Sequence, residues 1–180
     1  MGGLQYIQFN PDESVFVEPI ICSPKTKRFL QDRLLLLYTG TTRSTDTILR
    51  EQSANIARCQ DQRQALQDMT RLAHALRETL NREDADVDVL GDILHEGWMM
   101  KRGLASGVSN ARIDEWYERA RRAGARGGKI LGAGTGGFLL LYAHPEEHDA
   151  IRATLPALRP VPFSFEPQGS KIVFIEEGRG

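Results

Sequence analysis

Cysteine is nearly missing from this chain: Cys22 and Cys59 are the only two in 180 residues. They stand far apart with no histidine pattern beside them, which argues against structural zinc and against a disulfide framework. An excess of either charge is missing too. Lys and Arg number 23 and Asp and Glu 24, for a net charge of −1. Such a chain lacks the electropositive field that general nucleic-acid binding requires. No apolar run reaches the roughly 18–20 residues that cross a bilayer. The longest, Leu34-Leu35-Leu36-Leu37-Tyr38, has the length of a strand. Met1 to Tyr6 carry no basic start followed by an apolar stretch, so no secretory signal is read there. The expectation is a reduced, cytoplasmic protein with no nucleic-acid and no membrane partner. Proline is absent between Pro24 and Pro145, so nothing breaks helices chemically across that span.

What is present divides into three regions. From Leu4 to Thr39 the pattern is β. Tyr6, Gln8 and Asn10 alternate with Ile7 and Phe9, Asn10-Pro11-Asp12-Glu13-Ser14 is turn chemistry, and Val15 to Ile20 returns as a second strand. A linker containing Pro24 leads to Arg33–Tyr38, whose apolar run predicts a strand buried on both faces. From about Ser44 to Ala123 the pattern is helical. Leu66, Met69, Leu72, Ala73, Leu76 and Leu80 recur at spacings of three and four. Leu90, Ile93, Leu94 and Gly97 mark a second helix, with Lys101 one turn on. A third opens at Ser109 or Asn110, turns Ile113, Trp116, Tyr117 and Ala120 inward, and ends at Gly124. The last region holds short strands at Lys129–Leu131 and Phe138–Ala143, a helix from Pro145, and strands at Val161–Phe165 and Lys171–Glu176. The order predicts an α+β domain with an antiparallel sheet packed against a helical layer.

The densest signal is Gly127-Gly128-Lys129-Ile130-Leu131-Gly132-Ala133-Gly134-Thr135-Gly136-Gly137, with six glycines in eleven positions. Each glycine costs folding entropy, so this density belongs where backbone approaches something closely or φ is positive. Bare amide N–H groups there can bind an anion such as phosphate. Gly132-x-Gly134-x-x-Gly137 satisfies the dinucleotide fingerprint, yet that fingerprint must open a helix, and Phe138-Leu139-Leu140-Leu141-Tyr142 is strand composition. No Gly-Lys-Ser or Gly-Lys-Thr closes the loop, so it is no P-loop. A hairpin connection without a ligand remains the plain alternative.

Lys129 through Gly137 resembles the third motif of the GHMP kinases, the superfamily of galactokinase, homoserine kinase and mevalonate kinase. The resemblance covers most of the chain and favours the heptose 7-phosphate kinase branch. Leu36 to Ser44, Leu94-His95-Glu96-Gly97-Trp98 with Lys101, Ile113 to Tyr117, and Val161 to Ser170 match that branch in order. It implies a ferredoxin-like C-terminal domain at residues 32–180, preceded at 1–31 by a β-hairpin and linker left from an N-terminal domain sheet. It implies ATP and Mg²⁺ as cofactors of the complete enzyme, and a sugar or sugar phosphate as substrate. The loop Gly132, Ala133, Gly134, Thr135, Gly136 and Gly137 would then shape the phosphate side, and Thr39, Arg43 and Lys101 are substrate-binding candidates. Thr135 stands where the family has glycine; at positive φ it costs on the order of 1–2 kcal/mol. The family's serine-rich nucleotide motif and its catalytic aspartate have no counterpart in the sequence, so the chain alone is expected to be inactive. Residues 4–20 are expected to self-associate, swap, pack back on the sheet or meet the missing domain. The alternative is a non-catalytic small-molecule-binding or interaction module that completes a partner chain.

Individual residues keep two readings each. Arg43 opposes a helix dipole and so suits an anionic partner, or is an ordinary surface arginine. Thr39 and Thr41 suit sugar hydroxyls or helix capping, and Lys101 suits a phosphate or a solvated helix face. His95 and Glu96 lack the second ligand of a metal motif. Trp98 and Trp116 read as core or interface. Asp84, Asp86 and Asp88 read as a solvated interhelix turn. The arginines from Arg119 to Arg126 either add positive potential near the loop or form an exposed helix face.

Overall fold

The computed structural model describes residues 2–41, 46–132 and 136–170. The chain opens with strands β1 (Gln5–Phe9) and β2 (Val15–Pro19), an antiparallel hairpin in which Tyr6 faces Glu18. Helix α1 (Pro24–Arg33) follows, where the sequence suggested a linker. The reason is local: the Ser23 side chain caps the helix by accepting from the Thr26 amide at 3.0 Å, and Pro24 occupies the first turn. Leu30 then anchors the helix in the core.

Strand β3 (Leu34–Tyr38) is asymmetric rather than buried on both faces. Leu35 and Leu37 are buried, and Leu34, Leu36 and Tyr38 are only half-buried. Helices α2 (Asp46–Arg58), α3 (Gln60–Leu80), α4 (Val89–Arg102) and α5 (Ala111–Arg122) occupy the expected helical region. At α5 the Asn110 side chain accepts from the Ile113 amide, and Ile113, Trp116, Tyr117 and Ala120 are all buried, as their spacing predicted. Strands β4 (Gly127–Ile130) and β5 (Phe138–Tyr142), a 3₁₀ turn (Pro145–Glu147), α6 (His148–Thr154) and the two-residue β6 (Arg159–Pro160) complete the described elements. The expected strand Val161–Phe165 is irregular: after Val161 donates to the Leu36 carbonyl, Pro162 has no N–H to continue the ladder. The expected strand Lys171–Glu176 lies outside the described residues.

Antiparallel pairing in the order β4-β5-β3-β6 forms a four-stranded sheet, and β1-β2 stands apart as a second. The α+β expectation holds. The main core packs Leu37, Ile130, Leu139 and Leu141 of the sheet against Trp98, Ile113, Tyr117 and Ile151 of the helices. A second cluster, built on Leu30, Leu80, Val87 and Tyr142, takes in Leu4 and Ile20 at the root of the hairpin.

The hairpin therefore packs back, chiefly on α3, while its root shares a cluster with Tyr142 of β5. The Tyr6 hydroxyl lies 3.1 Å from His74 Nδ1, Arg77 stacks over the Tyr6 ring and pairs with Glu18, and the Gly3 amide donates to the Glu166 carbonyl. Its outer half is uncovered: Phe9 is 78% exposed, and Ile7, Val15 and Phe16 are about half exposed.

Asp88 is the other departure, since it is no solvated turn residue. Its carboxylate receives the Tyr142 hydroxyl at 2.8 Å and lies 3.1 Å from Arg33, 3.6 Å from Arg126 and 3.4 Å from His144. Arg126 also grips Asp92 in a two-point contact, which holds the Asp92 carboxyl below the ordinary range. Two more arginines of that segment, and Arg112 ahead of it, are similarly occupied. Arg121 donates to the carbonyls of Ala125 and Arg126, Arg119 pairs with Glu115, and Arg112 stacks on Trp116. Their role is to hold α5 and the entry to β4.

Candidate functional site

Strands β4 and β5 pair antiparallel, with Gly127 opposite Tyr142 and Ile130 opposite Leu139. The glycine segment joins them, as the sequence predicted, between two strands rather than ahead of a helix. Gly132 and Gly137, at φ +85° and +82°, flank it in the left-handed region. Ala133, Gly134 and Thr135 lie outside the described residues, as does Arg43.

The two ends of the loop are tied down by different elements. On the β5 side the Gly137 amide donates to the Thr41 carbonyl at 2.7 Å. The Gly137 carbonyl accepts from both the Thr39 amide, at 2.9 Å, and the Thr39 hydroxyl, at 3.0 Å. Thr39 is 5% exposed, and its hydroxyl is 3.2 Å from that of Thr41. Thr39 thus clamps the loop rather than capping α2. On the β4 side the Lys101 ammonium donates to the Gly132 carbonyl at 2.8 Å. Lys101 is half-buried, so the solvated-helix alternative does not describe it. Burial pushes its pKa down, with Lys129 adding to the shift, and burial alone pushes Lys129 down. The structure brings Thr39, Lys101, Gly132, Gly136 and Gly137 together around one loop. Thr39 was a candidate for the substrate, but its bonds to Gly137 carried no sequence signal, because they are set by the β3–β5 register.

His95 and Glu96 do not form a pair. The His95 Nδ1 lies 2.8 Å from the Tyr117 hydroxyl, and Glu96 is exposed. Among the described residues no three His, Cys, Asp or Glu side chains come together to hold a metal ion. Burial, then Arg121, depress the His95 pKa below its usual 6.5, and burial pushes the Tyr117 hydroxyl up to about 12. A histidine that resists protonation when folded leaves the unfolded chain to take up the proton first. Stability is therefore expected to fall as pH drops from 6.5 toward the lower folded value, and to be fully present above 6.5. Urea denaturation at pH 7.5 and 5.5 checks this, and His95→Gln should shrink the difference between the two.

A family model described as GHMP kinases C terminal matches residues 63–159. Over 174 residues the chain is 29% identical to the D-glycero-alpha-D-manno-heptose 7-phosphate kinase of Campylobacter jejuni, covering 94% of this chain and 50% of that protein. It is 32% identical over 132 residues to the bifunctional fucokinase/GDP-fucose pyrophosphorylase of Arabidopsis thaliana, covering 73% of this chain and 12% of that one. Among solved structures, L. major mevalonate kinase in complex with R-mevalonate superposes with a TM-score of 0.70 at 22% identity, covering 94% of this chain and 51% of that chain. At that identity the likeness is one of fold. The chain spans half the length of the first of these curated relatives, and less of the second.

Proposed function

The chain belongs to the GHMP kinases C-terminal family, and on that premise we propose that it is the C-terminal half of an ATP-dependent sugar kinase acting on a heptose phosphate or related sugar. The observation that carries this reading is the glycine segment between β4 and β5, held at Gly137 by Thr39 and at Gly132 by Lys101. Amides held in place before the reaction stabilise phosphoryl oxygens without reorganising, which is where most catalysis of phosphoryl transfer arises. In this reading Gly132–Gly137 faces the phosphates, and Arg43 and Lys101 serve the sugar-phosphate side. Thr39 acts through the loop. ATP supplies the γ-phosphoryl group to a sugar hydroxyl, and Mg²⁺ is ligated by the nucleotide and the other half. The name of the Campylobacter jejuni relative supports the heptose substrate.

The second half would meet residues 1–31, where Phe9, Val15 and Phe16 leave an apolar strand pair uncovered. That same surface favours the alternative of a non-catalytic module completing a partner chain. One experiment separates the two. The chain is incubated with MgATP and D-glycero-D-manno-heptose 7-phosphate, alone and with the N-terminal half of the Campylobacter jejuni relative, and ADP release is followed. We expect no release from the chain alone and release from the mixture. Release by the chain alone overturns its inactivity. A bound but silent mixture favours the non-catalytic module.

A further inference from the structure

Behind the glycine loop a cavity of about 290 Å³ opens between α3, α4 and β4. Met69, Ala73 and Leu76 of α3 line it opposite Leu94, Gly97 and Trp98 of α4. At the end nearest the loop the lining changes to two ammonium groups, Lys101 and Lys129. Among the described residues the Lys129 ammonium has neither an ion pair nor a hydrogen bond, and no carboxylate neutralises Lys101. Two half-buried like charges side by side carry a cost that a bound anion removes. Trp98 adds an independent sign. It is 1% exposed, and among the described residues its buried indole N–H has no acceptor.

We propose that this cavity binds a free amphiphilic anion, a phosphate monoester on a short apolar chain. The chain lies in the α3–α4 groove and the phosphate lies between Lys101 and Lys129. The cavity has the volume of a small-ligand site, and apolar walls with a few convergent polar groups are the usual make-up of one. An ammonium carries three N–H donors, so Lys101 can hold the Gly132 carbonyl and the anion together. Occupancy would then fix the loop from behind. The site shares Lys101 with the sugar-phosphate side proposed above, but its cavity lies between α3, α4 and β4 and is read out by binding, not by phosphoryl transfer.

Calorimetric titration of the whole chain with octyl phosphate tests this, with octyl glucoside (same tail, no charge) and inorganic phosphate (charge, no tail) as comparisons. We expect 1:1 binding of octyl phosphate and at least about tenfold weaker binding of either comparison. Lys129→Met should weaken binding about tenfold. Ala73→Phe, at an exposed position on the cavity rim, should abolish it by filling the groove. Both variants are checked for native circular dichroism. Equal affinity for octyl phosphate and octyl glucoside overturns the proposal, as does parental affinity in both variants. So does a chain that ignores octyl phosphate yet pellets with phosphatidic acid vesicles.

Discussion

Gly127→Val is expected to cost on the order of 3 kcal/mol or more and to lower the melting temperature by about 10 °C. Strand β4 lies directly against the backbone of α4, and the contact is glycine on glycine. A Cβ built on Gly127 falls on the Gly91 carbonyl oxygen and 2.9 Å from the His95 amide nitrogen. One on Gly91 would lie 2.8 Å from Arg126 Cγ and 2.9 Å from Tyr142 Cδ1. The obstructing atoms at Gly127 are backbone, so no rotamer change relieves them. The helix and the strand must separate, and the Trp98, Tyr117 and Ile130 core opens with them. Gly97→Ala is the matched control. Its Cβ meets only Leu72 Cδ1, at an ordinary 3.9 Å, and within a helix alanine should gain up to about 1 kcal/mol. Thermal denaturation of the two variants should move in opposite directions. A Gly127→Val protein melting with the parent would mean that β4 does not sit on α4 as described.

The same contacts explain what could be read in advance. Helices α3, α4 and α5 are legible because each repeats apolar residues at spacings of three and four, although only α5 buries every residue so marked and α3 buries Leu80 alone, and α5 adds its Asn110 cap. The loop is legible because glycine density has few other causes. Helix α1 is hidden by its proline and five charged residues, which look like a linker unless Ser23 and Thr26 are read together as a cap. Asp88 is illegible because its partners, Arg33, Arg126, Tyr142 and His144, come from elements joined only by the fold. The site divides in the same way. Local composition marks the glycines, whereas the bond from Thr39 to Gly137 spans 98 residues and depends on the β3–β5 register. A register leaves no mark on either segment alone.

Gly136→Val is expected to lower phosphoryl transfer by the enzyme assembled from both halves by about 100-fold or more, with a far smaller effect on stability. A Cβ at Gly136 would stand 2.5 Å from the Thr41 carbonyl oxygen and 3.2 Å from Thr41 Cβ. That carbonyl is the acceptor for the Gly137 amide, so the valine displaces the bond that fixes the β5 end of the loop. The sheet itself need not move, because Phe138 to Tyr142 keep their pairing with β3. The amides between Gly132 and Gly137 do move, and displacements of about 1 Å suffice to remove preorganised stabilisation of a phosphoryl group. Thr39→Val is the milder companion. It removes the hydroxyl donor to the Gly137 carbonyl, leaves the Thr39 amide bond intact, and should cost about tenfold. Steady-state kcat of the assembled enzyme, read beside melting temperature, checks both. If Gly136→Val retained activity within about threefold of the parent, the loop would be a connection between strands and not part of a phosphate site.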